Sequence, residues 1–223
     1  MKNILFAAIL SACFIFQSAK AQQTKIYNKG KYQLTFISYD ATLDSVEQQR
    51  LVKTFYTVYP ELAKAYNKKT LKAVTFVIDT TYKGVAETDN GKVTISSRWI
   101  HSHPEDIDVV THEVMHIVQN YGESNGPGWL IEGIADYARY KFGVNNAAAK
   151  WALPDYKPTQ NYDNAYRVTA RFLLWIEKKV SPGLVKEFDG RLRKHTFTDD
   201  AWRQLTGKTV DELWKTYSEN PTI

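Results

Sequence analysis

The sequence predicts an α+β fold: a small mixed sheet packed on a helical subdomain. Apart from one helix, the chain as far as Trp99 is made of short apolar, β-branched segments. Beyond it, apolar residues recur every three to four positions in longer segments, the helical period. Strands first and helices later is an α+β order, unlike the alternation of parallel βαβ chains. The 223 residues contain no repeat, low-complexity tract or linker, so one domain with a sizeable core is expected.

Taken in order, residues 32–39 alternate apolar and polar side chains and predict a strand. Residues 42–67 place Val46, Leu51, Phe55, Val58, Leu62 and Tyr66 on one helical face, with Pro60 expected to kink or restart the helix. The valine, isoleucine and phenylalanine of 73–79 predict a buried strand. Asp89-Asn90-Gly91 is a turn signal, after which 92–99 reads as a further strand. Pro104 suits a first helical turn, and Glu105, Asp106 and Asp108 suit its positive end, so a helix is expected to open there. Further helices are expected near 129–141, 162–178, 182–194, 199–206 and 210–217, two of them announced by Ser181-Pro182 and by a Thr209…Glu212 capping box.

The amino terminus reads as a secretory signal peptide over 1–21: Lys2, an apolar run from Ile4 to Phe16, then Ala19-Lys20-Ala21 before a cleavage site at Gln22. The mature chain, 22–223, is then a single domain, extracellular or periplasmic. The run is too short to span a membrane, and no later segment is long enough, so no stable membrane insertion is expected. Leu10-Ser11-Ala12-Cys13 also resembles a lipoprotein box, which offers anchoring as an alternative. Cys13 is the only cysteine, so the mature chain has no disulfide, thiol nucleophile or thiolate metal site. Losing Lys2 and Lys20 with the signal lowers the formal charge from +5 to +3. That dispersed charge reads as a solvated surface and not as a nucleic-acid footprint; a monomer is expected.

The chemistry concentrates in His112-Glu113-Val114-Met115-His116 and the later Trp-Leu-Ile-Glu132-Gly-Ile-Ala-Asp136. Residues four apart share a helical face, so His112 and His116 can reach one metal together. Glu132, from a second helix, can supply a third ligand and leave one position open, which is the catalytic zinc pattern. Glu113 lies beside the histidines as a general base toward a zinc-activated water. Asp136, one turn after Glu132, can orient a ligating histidine or stand in for Glu132 as ligand. Carboxylates in so apolar a segment are costly unless paired or coordinated. Gly133 and Ala135 are small enough for close approach to the motif helix.

These residues resemble the gluzincin metallopeptidases, which pair His-Glu-x-x-His with a later Glu-x-x-x-Asp helix. More closely, the chain is similar to the basic secretory protein family of plants and bacteria. Thr-His-Glu-Val-Met-His, Gly-Trp-Leu-Ile-Glu-Gly-Ile-Ala-Asp-Tyr-Ala-Arg, Tyr-Arg-Val-Thr-Ala-Arg-Phe-Leu and Leu-Thr-Gly-Lys-Thr-Val-Asp-Glu-Leu-Trp carry the likeness from Thr111 to Trp214, with weaker similarity back to about Lys31. The resemblance implies zinc held by His112, His116 and Glu132, Glu113 as catalytic base, and a cleft between the sheet edge and the helical part. One departure is spacing: only fifteen residues separate His116 from Glu132, so Gly122, Gly126, Pro127 and Gly128 must make a tight return.

Fourteen tyrosines are mostly packing residues, but Tyr162 and Tyr166 begin a helix after the two motif helices. The resemblance to aminopeptidase-type gluzincins places there a tyrosine that donates to the tetrahedral oxyanion. By position Tyr162 matches it, and Tyr166 is the second candidate. His101 and His103 have metal-pair spacing but read as a polar loop, and His195 reads as a surface residue. Arg139 and Trp151 are candidates to line the cleft. The expectation is therefore a secreted zinc metallopeptidase acting on peptide or protein substrates, which could lie extended along the 92–99 strand. Its rival is a secreted binding or defence protein that keeps the fold with little or no turnover.

Overall fold

The computed structural model describes residues 23–123 and 126–223. The signal segment, its cleavage site at Gln22 and the Cys13 box lie outside the described residues.

Five strands form one mixed sheet: β1 (Gln23–Lys29), β2 (Tyr32–Ser38), β3 (Ala73–Asp79), β4 (Ala86–Asp89) and β5 (Lys92–Ser96), in the order β1-β2-β3-β5-β4. β2, β3 and β5 run parallel at the centre, and β1 and β4 close the two edges antiparallel. The helix α1 (Ser45–Ala65) makes the crossover from β2 to β3 that a parallel pair requires. It is capped by Asp44, whose side chain accepts from the Val46 amide, and it continues through Pro60 without restarting. Leu51, Phe55, Val58 and Leu62 on its inner face are buried with Leu34, Phe36, Phe76 and Ile78 of the sheet.

The hairpin β4–β5 turns at Asn90 and Gly91, with φ of 44° and 79°. A two-residue turn with both φ positive matches the twist of its strands, and Asn-Gly is the favoured pair for it. β5 stops at Ser96, short of the expected Trp99, because the Ser96 hydroxyl accepts from the Trp99 amide and caps a helix, α2 (Ser97–Ser102). The strands β1 and β4 were not expected: β1 is almost wholly exposed, and three of the four residues of β4 are polar.

Two helices follow, α3 (Val109–Gln119) and α4 (Gly128–Phe142). α3 begins five residues after Pro104. The buried Asp108 sets its start by accepting from Thr111 Oγ1 at 2.8 Å and from the Val144 amide at 2.9 Å. Glu105 and Asp106 therefore lie in turns before the helix, not in its first turn. The expected helix over 162–178 is broken: a short 3-10 turn at Tyr162–Asn164 precedes α5 (Tyr166–Lys179), with Ala165 and Tyr166 at positive φ between them. α6 (Leu184–Arg193), α7 (Asp200–Thr206) and α8 (Val210–Glu219) complete the helical part. The Thr209–Glu212 capping box opens α8. Phe172, Phe188, Trp202, Leu213 and Tyr217 are buried with α3 and α4 in the same core. Among the described residues no helix is long and apolar enough to cross a membrane.

Candidate metal centre and active-site cleft

α3 and α4 pack antiparallel, so His112 meets Asp136 while Gln119 meets Ile131. α3 stops at Asn120, whose left-handed backbone (φ 44°, ψ 47°) turns the chain back directly after the motif. Gly133 faces α5, not α3: a Cβ there would lie 2.2 Å from Thr169 Cγ2. Its missing side chain lets α5 close on the helix that carries Glu132.

This packing gathers His112, His116 and Glu132. The two Nε2 atoms are 3.2 Å apart, and Glu132 Oε2 lies 3.2 Å from that of His112 and 3.5 Å from that of His116. Ligands at zinc distances around a tetrahedral ion sit about 3.3 Å from one another. The donor atoms therefore already have the spacing of a three-ligand site, and two imidazoles with a carboxylate suit zinc.

The outer ring nitrogens are both engaged. His112 Nδ1 is 2.7 Å from Asp136 Oδ1, and a carboxylate can only accept, so Nδ1 carries the hydrogen. His116 Nδ1 is 2.7 Å from Gln119 Oε1, whose amide nitrogen donates to the Ile131 carbonyl at 3.0 Å. Each ring thus holds Nε2 inward, where loss of its proton presents a lone pair to a metal, as in neutral histidine ligands. Burial opposes charge on His112, but hydrogen bonds to Asp136 and Glu132 outweigh it and push its pKa up to about 10. Burial likewise favours a neutral Glu132, yet hydrogen bonds from His112 and His116 hold it well below the usual carboxylate range. Both shifts describe a pocket that attracts positive charge.

The group opens on a cleft of about 1200 Å³ between β4 and the helices. Glu113 lines it, and its Oε2 accepts from Thr88 Oγ1 on β4 at 2.7 Å. Thr88 was not legible in the sequence, because a partner across the sheet leaves no spacing signal. Gln119 was missed as well, although three residues after His116 it shares that helical face.

The two tyrosines separate clearly. Tyr166 borders the cleft, 54% exposed, with its ring 6.1 Å from that of His112. The negative charge of Glu132 first, then burial and the charges of Asp136 and Glu113, raise its pKa and keep the phenol protonated. Tyr162 instead donates from its hydroxyl to Asp211 of α8 at 2.8 Å and packs on Trp129, 5.1 Å between ring centres. Burial first, then Asp211, pushes its pKa up to about 12. The break at Ala165 and Tyr166 is what points the two rings to different places.

The model of the family described as "Peptidase of plants and bacteria" matches residues 20–217. The chain belongs to this family. No protein of curated function matches it in sequence. Among solved structures, it is similar to a two-domain M1 zinc metallopeptidase bound to L-tryptophan, at 15% identity and a TM-score of 0.51, over 91% of this chain and 52% of that one. An aminopeptidase N family protein from Idiomarina loihiensis aligns at 10% identity and a TM-score of 0.53, over 88% of this chain and 46% of the other. At such identities the likeness is one of fold. The chain spans about half the length of the solved structures it matches.

In this member of the peptidase family, Arg139 and Trp151 both line the cleft. His101 and His103 diverge: His101, on α2 and not in a loop, meets Asp40 at 2.7 Å, while His103 stacks on Trp99 at the cleft wall. His195 is exposed. The expected substrate strand needs correction. β5 is paired on both sides, by β3 and β4, and has no free edge; the sheet edge at the cleft is β4.

Proposed function

We propose that this chain is a secreted, monomeric zinc metallopeptidase, with His112, His116 and Glu132 as metal ligands and Glu113 as general base. The observation that carries the reading is the spacing of the three donor atoms, 3.2 to 3.5 Å, with Glu113 in the same cleft. Membership of a peptidase family supports it independently. Export is supported by the sequence pattern of 1–21 alone.

Bound there, zinc would supply Lewis acidity, polarising the scissile carbonyl and bringing the pKa of water toward about 7. Glu113 takes the proton of the attacking water and passes it to the leaving amine. The Thr88 hydroxyl holds the Glu113 carboxylate in one orientation. Asp136 and Gln119 fix the two imidazoles. The Tyr166 phenol, not that of Tyr162, donates to the oxyanion that forms at the carbonyl. A substrate backbone lies along β4. The Ser96 amide donates to the Val85 carbonyl, so by alternation Ala86 and Thr88 turn their main-chain groups outward.

Metal analysis of purified protein tests the ligand assignment. The expected result is near one zinc per chain, retained by Glu113→Gln and lost from Glu132→Ala. No zinc in folded protein at micromolar free metal would remove the metallopeptidase reading.

A further inference from the structure

One end of the cleft is walled by aromatic rings that the mechanism above does not use. Trp99 of α2 and Trp151, in the loop after α4, both border it and remain partly exposed. This end lies about one helical turn from His112 and two from His116 and Glu132. Val109, which lines the cleft, comes three residues before His112 and seven before His116, and Arg139 comes seven after Glu132, roughly 4.5 to 10.5 Å along the axes. At roughly 3.3 Å per residue, an extended peptide covers that span in one to three residues.

The wall is built, not incidental. Trp99 Nε1 donates to Asp106 Oδ2 at 2.9 Å. Asp106 also pairs with the buried Arg139, whose guanidinium lies over the Trp151 ring, 4.4 Å from its centre. The loop that brings Trp151 is tied down along its length. Asp108, fully buried, takes the Val144 and Asn145 amides, and Asn146 exchanges two hydrogen bonds with Arg139. Lys150, left-handed at φ 52°, turns Trp151 so that its amide donates to the Asn146 carbonyl at 2.9 Å. A non-glycine residue holds that backbone only where its surroundings over-determine it. Walls fixed beforehand lower the ordering cost of binding.

Charge narrows what can bind. The two acids at this end, Asp106 and Glu105, are already engaged, by Arg139 and by Arg50, and Lys150 adds a cation beside them. A lysine or arginine side chain would find both of these carboxylates already paired. A flat neutral ring gains stacking or edge contact with tryptophan beyond its area burial.

We infer that this end of the cleft is a specificity subsite that takes an aromatic side chain of the peptide, within about three residues of the scissile bond, against Trp99 and Trp151. The inference rests on the peptidase reading.

Cleavage-site profiling of the zinc-loaded protein on a mixed peptide library tests it, beside calorimetry on zinc-loaded Glu113→Gln with two peptides differing only by Phe or Ala at one central position. The expected profile enriches Phe, Tyr or Trp at one fixed position within about three residues of the cleaved bond. The Phe peptide should bind about tenfold tighter than the Ala peptide. Both preferences should vanish in Trp151→Ala and in Trp151→Leu, which keeps apolar bulk without the ring. Cleavage without aromatic enrichment, or with Lys, Arg or acidic residues enriched there, overturns the subsite and leaves the peptidase reading intact. If nothing is cleaved, that reading fails, and equal affinity for the two peptides overturns the subsite as well.

Discussion

Asp136 accepts from Nδ1 of His112 at 2.7 Å, and that contact decides which ring nitrogen of His112 faces the cleft. The carboxylate sits one turn beyond Glu132 on the same helix, so in the proposed site α4 contributes both a ligand and the group that orients another ligand.

Asp136→Asn should therefore weaken zinc binding by roughly 10- to 100-fold while leaving the fold intact, and Glu132→Ala should weaken it more. Competition with a chelator of known affinity measures both. Zinc stripped by Asp136→Asn but retained by Glu132→Ala would reverse the roles.

Tyr166→Phe should lower kcat and kcat/KM together by roughly 100-fold, with KM little changed, because the donor acts on the transition state. Tyr162→Phe should leave turnover near that of the natural chain and cost roughly 1 kcal/mol of stability through its lost bond to Asp211. Steady-state kinetics on one substrate, with zinc content and melting temperature checked, separates them. The opposite pattern would return the role to Tyr162.

Much of the site could be read from local spacing, and what could not depends on partners far along the chain. His112 and His116 meet because they are four apart, and Glu132 and Asp136 because they are one turn apart on a helix with a clear apolar face. The start of α3 was misplaced because Asp108 is held by the amides of Val144 and Asn145, more than thirty residues away. The strand expected over 92–99 ends at Ser96 because the Ser96 side chain caps a short helix there, and so short a helix shows no apolar period of its own. β4 has too few apolar residues to announce itself, so neither the cleft edge nor the Thr88–Glu113 bond could be foreseen. The two tyrosines stayed unresolved because a regular helix puts them on one face, and only the positive φ at Ala165 and Tyr166 parts them.

A pH effect on stability is expected away from the cleft. Burial works to raise the pKa of Asp40, but bonds from Ser97 Oγ at 2.6 Å, the Thr42 hydroxyl and amide, and His101 outweigh it and hold the carboxyl well below its usual range. A depressed folded-state pKa stabilises above the unfolded value of about 4, and that stability is lost as pH falls through the folded one. Urea denaturation at pH 7 and pH 3 should show Asp40→Asn less stable at pH 7, by roughly 1–3 kcal/mol, and the gap partly narrowed at pH 3, where the unfolded carboxyl is largely protonated and the folded one still ionised. A difference that does not change with pH would show that Asp40 is not held as a carboxylate.

The central claim is that Glu113 drives peptide hydrolysis at a zinc held by His112, His116 and Glu132. The most direct measurement compares cleavage of a mixed peptide library by the natural chain and by Glu113→Gln, each carrying one zinc. The natural chain should cleave, and the variant should fall by at least about 100-fold, since an amide cannot take the proton. Equal cleavage by both, or none by folded, zinc-loaded natural chain, would contradict the account.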